Sequence, residues 1–127
     1  MTENEIGTQI IDAAVAIHQG LGPGLLESVY EVVLAKELTN RGLKVVRQQS
    51  IAIEYQGLKF EEGFRADLAV EDKVIVELKS VERVTAAHKK QIQTYLRLTG
   101  CKLDYLLNFG DALMTHGITR CVNGLEE

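Results

Sequence analysis

The sequence holds two cysteines, one proline and no apolar run long enough to cross a bilayer. Cys101 and Cys121 are too few for a disulfide scaffold and lack zinc-ligand spacing. They read as reduced thiols, since a core of this size needs no staple. The longest apolar stretch near the start, Ile10 to Ile17, is broken by Asp12 and falls far short of a membrane helix. The opening Met1-Thr2-Glu3-Asn4-Glu5 is acidic, unlike the basic start of a signal peptide. The expectation is therefore a cytoplasmic protein with no membrane partner. Positive charge is not in surplus either. Fourteen Lys+Arg against eighteen Asp+Glu give a net charge of -4, which excludes a general basic coat for nucleic acid.

What is present is ordinary for a folded chain. The 127 residues are 46% hydrophobic and 25% charged, which predicts a single domain over 1–127 and excludes disorder as the main description. Ile6, Ile10, Ala13 and Ile17 mark one face of a helix over about 3–19. Gly20-Leu21-Gly22-Pro23-Gly24 breaks it, and a second helix is expected over about Leu25 to Arg41. From Leu43 the period turns to that of strands, with Gln56-Gly57 as a turn. Residues 58–62, 64–70 and 74–80 read as further strands. A third helix follows, from about Val84 to Thr99, and strands at Leu103 to Phe109 and Ile118 to Val122 close the chain. The order α-α-β-β-β-β-α-β-β predicts an α/β fold, a mixed central β-sheet flanked by helices.

One hairpin carries chemistry. Successive strand side chains alternate between faces. Ala66, Leu68 and Val70 share a face, as do Val74, Val76 and Leu78. Placing both apolar sets on the core pairs Asp67 with Glu77 and Ala69 with Ile75. The connecting loop must then have an odd number of residues, Glu71 to Lys73, because a two-residue turn would put the two acids on opposite faces. Facing carboxylates repel unless something neutralises them. A hard divalent cation does so, and Mg²⁺ is commonly held by one or two carboxylates. Lys79 falls on the same face, where it can orient a water or stabilise phosphate charge. A Glu-x-Lys strand is also a common solvated edge, so the facing Asp67 is what raises this pattern above background.

Charge is unevenly spread. Residues 79–97 contain Lys79, Arg83, Lys89, Lys90 and Arg97 against Glu82 alone, leaving nine cationic and seventeen acidic residues elsewhere. A basic stretch beside an acidic cation site suits an approaching polyanion. An ordinary solvated helix face accounts for it equally well.

These residues resemble a known group. Asp67 followed by Glu77-Leu78-Lys79 and a helix resembles the core of the PD-(D/E)XK nuclease superfamily. Gly24-Leu25-Leu26-Glu27-Ser28-Val29-Tyr30 is similar to the signature of the GxxExxY protein family, which is placed in that superfamily. Gln91-Ile92-Gln93-Thr94-Tyr95 resembles a QxxxY helix motif of its recombination-exonuclease branch. Ala66 stands where the eponymous proline would be. The resemblance implies a restriction-endonuclease-like core. It implies Asp67, Glu77 and the Leu78 backbone carbonyl as cation ligands, Lys79 as the residue acting on water or charge, and Glu27 as a completion of the acidic cluster. Gln91 and Tyr95 would support the site or the substrate backbone, with Tyr30, Lys89 and Lys90 in the same supporting group. Glu27 is favoured at a helix start by the dipole in any case, and Tyr30 lies among apolar positions where a core role is the plainer one.

The function these expectations favour is Mg²⁺-dependent phosphodiester hydrolysis of DNA, with RNA second and Mn²⁺ as a substitute metal. A lone chain of this size has no separate recognition module, so a homodimer or larger complex is the expected assembly. Two other classes stand beside it, because a fold does not fix a function. One is a catalytically silent nucleic-acid- or protein-binding module. The other is a pure interaction protein, for which an intact Asp67, Glu77 and Lys79 set has no chemical reason.

Overall fold

The computed structural model describes residues 1–126. Helix α1 spans Glu3–Leu21 and α2 spans Glu27–Asn40. Strands β1 (Val45–Tyr55), β2 (Leu58–Val70) and β3 (Val74–Lys79) follow, then helix α3 (Ala86–Thr99), strand β4 (Leu103–Asn108), a short 3-10 turn at Met114–His116 and strand β5 (Ile118–Val122).

Local chemistry sets the helix ends. Thr2 Oγ1 accepts from Glu5 N at 3.1 Å while Glu5 Oε1 accepts from Thr2 N at 3.0 Å, a reciprocal cap that satisfies two orphan donors of α1. Gly22, at φ 76°, ends α1 with its N–H on the His18 carbonyl. Thr85 and His88 form the matching cap of α3, where His88 Nδ1 accepts from Thr85 N at 3.1 Å. Gly100, at φ 71°, terminates α3 in the left-handed conformation.

The five strands form one sheet in the order β1-β2-β3-β4-β5. Neighbours are antiparallel except β3 and β4, which run parallel and are joined through α3. The mixed sheet and the helices agree with the expected architecture. The chain order differs from expectation at one place: 58–62 and 64–70 are a single strand, β2, running through Gly63. Gly63 is no break. A Cβ there would run into the Ile53 side chain on β1, so the missing side chain admits a close strand contact.

One sheet face packs under α1 and α2. Ile6, Ile10, Ala13, Tyr30, Leu34 and Leu38 meet Leu68, Val70, Val74, Val76, Leu78, Leu103, Tyr105 and Leu107 in one buried cluster. The alternate residues of β2, β3 and β4 form the other face, which α3 covers with buried Ile92 and Leu96. That second face carries the acids. No helix among the described residues is long and apolar enough to cross a membrane.

Candidate active site

The β2–β3 hairpin has the register that side-chain alternation dictates. Ala69 pairs with Ile75 and Val70 with Val74 across the loop Glu71 to Lys73. Glu71 and Asp72 turn the chain at φ 53° and 54°. The segment between α2 and β1 clamps them: Glu71 N donates to Lys44 O at 2.8 Å, Lys44 N to Glu71 Oε2 at 2.8 Å, and Lys44 Nζ pairs with Asp72 at 2.7 Å. Beyond the last ladder pair, Leu68 with Val76, the strands no longer bond backbone to backbone. Asp67 Oδ2 instead accepts from Leu78 N at 2.8 Å. Asp67 and Glu77 thus share the α3-covered face, with Leu78 backbone between them.

The pair is electrostatically unusual. Burial, reinforced by the charge of Asp67, pushes the Glu77 carboxyl up to about 8, while Lys79 pulls it back. Glu77 Oε1 is buried with no hydrogen-bond partner. Tyr95 reaches the same place from α3. Its phenol is held above the ordinary range by burial and by Glu77, Asp104 and Asp67, with the Gln91 side chain acting in the opposite sense. Its ring stacks on Phe64 of β2, centroids 3.7 Å apart and planes within 2°. The hairpin and α3 are therefore locked together beside the carboxylates.

Glu27 approaches from the other layer. It opens α2, whose N-terminus has no side-chain cap. Glu27 Oε1 accepts from Ser80 N at 3.3 Å, and Ser80 Oγ donates to Leu25 O at 2.6 Å. The residue after Lys79 is thereby stitched to the start of α2. Asn108 fixes the next one: its amide accepts from Val81 N at 3.0 Å and donates to Val81 O at 2.9 Å.

Other residues of the expected set lie apart from the carboxylates. Tyr30 is fully buried and stacks on Phe109 at 4.3 Å. Its contribution to the site is indirect, because its hydroxyl donates to Gly22 O at 2.6 Å and accepts from Leu25 N at 3.0 Å. Those bonds shape the loop that delivers Glu27. Tyr30→Phe should cost about 1–2 kcal/mol in a denaturant titration. An unchanged midpoint would show that the loop holds without them. Lys89 and Lys90 are exposed on α3, and the charge of Lys89 is felt by Cys121 on β5.

Three site residues had no sequence signal that singled them out. Asp104 of β4 is completely buried, and neither carboxylate oxygen has a partner. Burial above all, then Glu77 and Asp67, hold its carboxyl well above the usual range. A lone acid in an otherwise apolar strand was the available clue. Glu31 of α2 is also buried, and Gln48 of β1 bonds both Glu31 and Asp67; nothing in local periodicity joins those two segments.

The residues suit a divalent cation of the hard type. Two neighbouring carboxylates, one with an unpartnered buried oxygen, are a donor set that positive charge would satisfy. Among the described residues, no group of three or more His, Cys, Asp or Glu side chains is placed to hold a metal ion. An open site of two carboxylates would leave a hard divalent cation water and phosphate oxygens as its remaining ligands.

A family model described as the PD-(D/E)XK nuclease superfamily matches residues 4–121. No curated protein and no solved structure matches the chain. The match takes in both carboxylate strands, α2 with Glu27 and the whole of α3. The chain belongs to the PD-(D/E)XK nuclease superfamily.

Proposed function

We propose that this chain is a Mg²⁺-dependent nuclease that hydrolyses phosphodiester bonds in DNA, with RNA the second candidate. The observation that carries the reading is the Asp67–Glu77 pair, with Glu77 Oε1 buried and unpartnered and Lys79 close enough to lower the Glu77 carboxyl. Asp67, Glu77 and the Leu78 carbonyl would hold the cation, and Mn²⁺ would substitute. Such a cation, when bound, supplies Lewis-acid polarisation of a phosphate and eases deprotonation of a water.

The chain's own residues do the rest. The Leu78 N–H bond fixes one oxygen of Asp67, so the donor pair is preorganised. Lys79 brings an ammonium to the face where phosphate charge develops. Glu27 holds the strand end after Lys79 through Ser80 N and extends the acidic cluster toward α2. Tyr95, with Gln91 beside it, walls the carboxylates on the α3 side. The exposed Lys89 and Lys90 draw the polyanion by long-range attraction. The reading includes one domain over 1–127 with reduced Cys101 and Cys121 in the cytoplasm, acting as a homodimer or within a larger complex.

A second reading is a silent binding module on the same fold. It is favoured by one observation: among the described residues no group of three His, Cys, Asp or Glu side chains is placed to hold a metal ion. Calorimetric titration with Mg²⁺ and Mn²⁺ separates the two. Wild type should bind, alone or with a phosphorothioate oligonucleotide present, and the Asp67→Ala/Glu77→Ala protein should not. Wild type that takes up no cation in either condition would leave the silent module.

A further inference from the structure

Gln48 stands inside β1 at φ 52°, a left-handed backbone that side chains other than glycine rarely adopt. Its flanking pairs, Arg47 with Leu68 and Gln49 with Ala66, place it directly across from Asp67. Its amide is aimed at two acids. Nε2 donates to Glu31 Oε1 at 2.6 Å and, more weakly, to Asp67 Oδ1 at 3.4 Å. Glu31 is a fixed anchor, with its side chain 8% exposed and Arg47 Nε and Nη2 at 3.1 and 2.9 Å from Oε2.

We infer that Gln48 is a positioning residue for Asp67, hung from the buried Glu31, which pairs with Arg47. The inference rests on the reading of Asp67 as a cation ligand. Leu78 N–H takes one oxygen of Asp67 and the Gln48 amide the other. Each carboxylate oxygen has a further lone pair, so both can be held from outside and still face a cation. This is the role of the outer hydrogen bonds that orient metal ligands. It also accounts for the backbone of Gln48. Strained conformations persist where the surrounding structure over-determines them, and such places cluster at functional sites. The amide serves two acids on different elements, α2 and β2, from a residue with a left-handed backbone.

The test uses Gln48→Leu, which keeps bulk and removes the donor, and Gln48→Gly, which suits the left-handed backbone if the first variant folds poorly. Amide hydrogen exchange at Leu78 is followed by NMR in cation-free protein, and Mn²⁺ binding by calorimetry. Loss of the Gln48 donor should loosen Asp67 and speed exchange at Leu78 about tenfold, with Val76 inside the ladder unchanged; Mn²⁺ Kd should rise about tenfold. Unchanged exchange at Leu78 overturns the inference. Equal acceleration at Val76 and Leu78 overturns it too, because the role would then be general support of the sheet. If Leu78 responds alone and wild type binds no Mn²⁺ with or without the phosphorothioate oligonucleotide, the hold of Gln48 on Asp67 stands and the nuclease reading fails.

Discussion

Glu77→Gln is expected to be more stable than the parent protein and to lose almost all cleavage. The two effects have one cause. Glu77 is held at about 8 against an ordinary 4.5 because burial penalises its charge. As pH rises, the unfolded chain ionises first, so the folded state loses stability from about 4.5 until the folded carboxyl titrates near 8. Glutamine removes that ionisation. The gain should be close to zero near pH 4 and reach a few kcal/mol by about pH 8, read from denaturant midpoints at both values. Cleavage of a labelled oligonucleotide with Mg²⁺ should fall at least about 10³-fold, and the same for Asp67→Ala. A stable Glu77→Gln protein that still cleaves would remove Glu77 from the chemistry, and a protein less stable at high pH would contradict the burial argument.

The same carboxyl sets how cation uptake depends on pH. A ligand must give up its proton before it can coordinate. Between about pH 6 and the titration near 8, Mg²⁺ affinity in wild type should rise up to about tenfold per pH unit and then level off. On the proposed reading, the site would be held at the expense of fold stability, the usual relation where function needs a charge in a poor solvent.

Much of this arrangement was legible because strand alternation is a strict constraint. Leu68, Val70, Val74 and Val76 had to share the core face, and that alone set Asp67 and Glu77 side by side and made the loop Glu71 to Lys73 three residues long. Glycines were less legible. Gly63 looked like a gap between strands, yet it lies inside β2 because Ile53 needs the space. Tyr30 shows a limit of motif reading: it stands three residues after Glu27 in the same stretch of sequence but lies in the core, bonded to Gly22 and Leu25. The Glu31–Gln48–Asp67 contacts depend on how α2 meets β1 and on one left-handed residue. Neither follows from a periodicity. Asp104 was hidden for a further reason. Its strand reads as ordinary apolar β until its place between β3 and β5 is known, and that central place is what buries the acid.

Asp104→Asn should stabilise the protein at neutral pH and by little near pH 4. The folded carboxyl lies well above its ordinary range. The folded state therefore keeps the proton after the unfolded state has lost it, and stability falls as pH climbs from about 4. A near-isosteric neutral amide removes that fall, although it too must find partners in the strand interior. Part of the cost comes from the negative charges of Glu77 and Asp67. A cation held by those two residues would offset their charge, so saturating Mg²⁺ should shrink the advantage of Asp104→Asn. Denaturant titrations at the two pH values, with and without Mg²⁺, test both steps. A gain that is the same at both pH values would show that packing, not ionisation, is what the asparagine improves. A gain untouched by Mg²⁺ would show that Asp104 does not sense the proposed site. The shrinking gain would instead mean that the cation relieves three acids while touching two, which gives the buried third acid a share in how strongly the fold favours the loaded state.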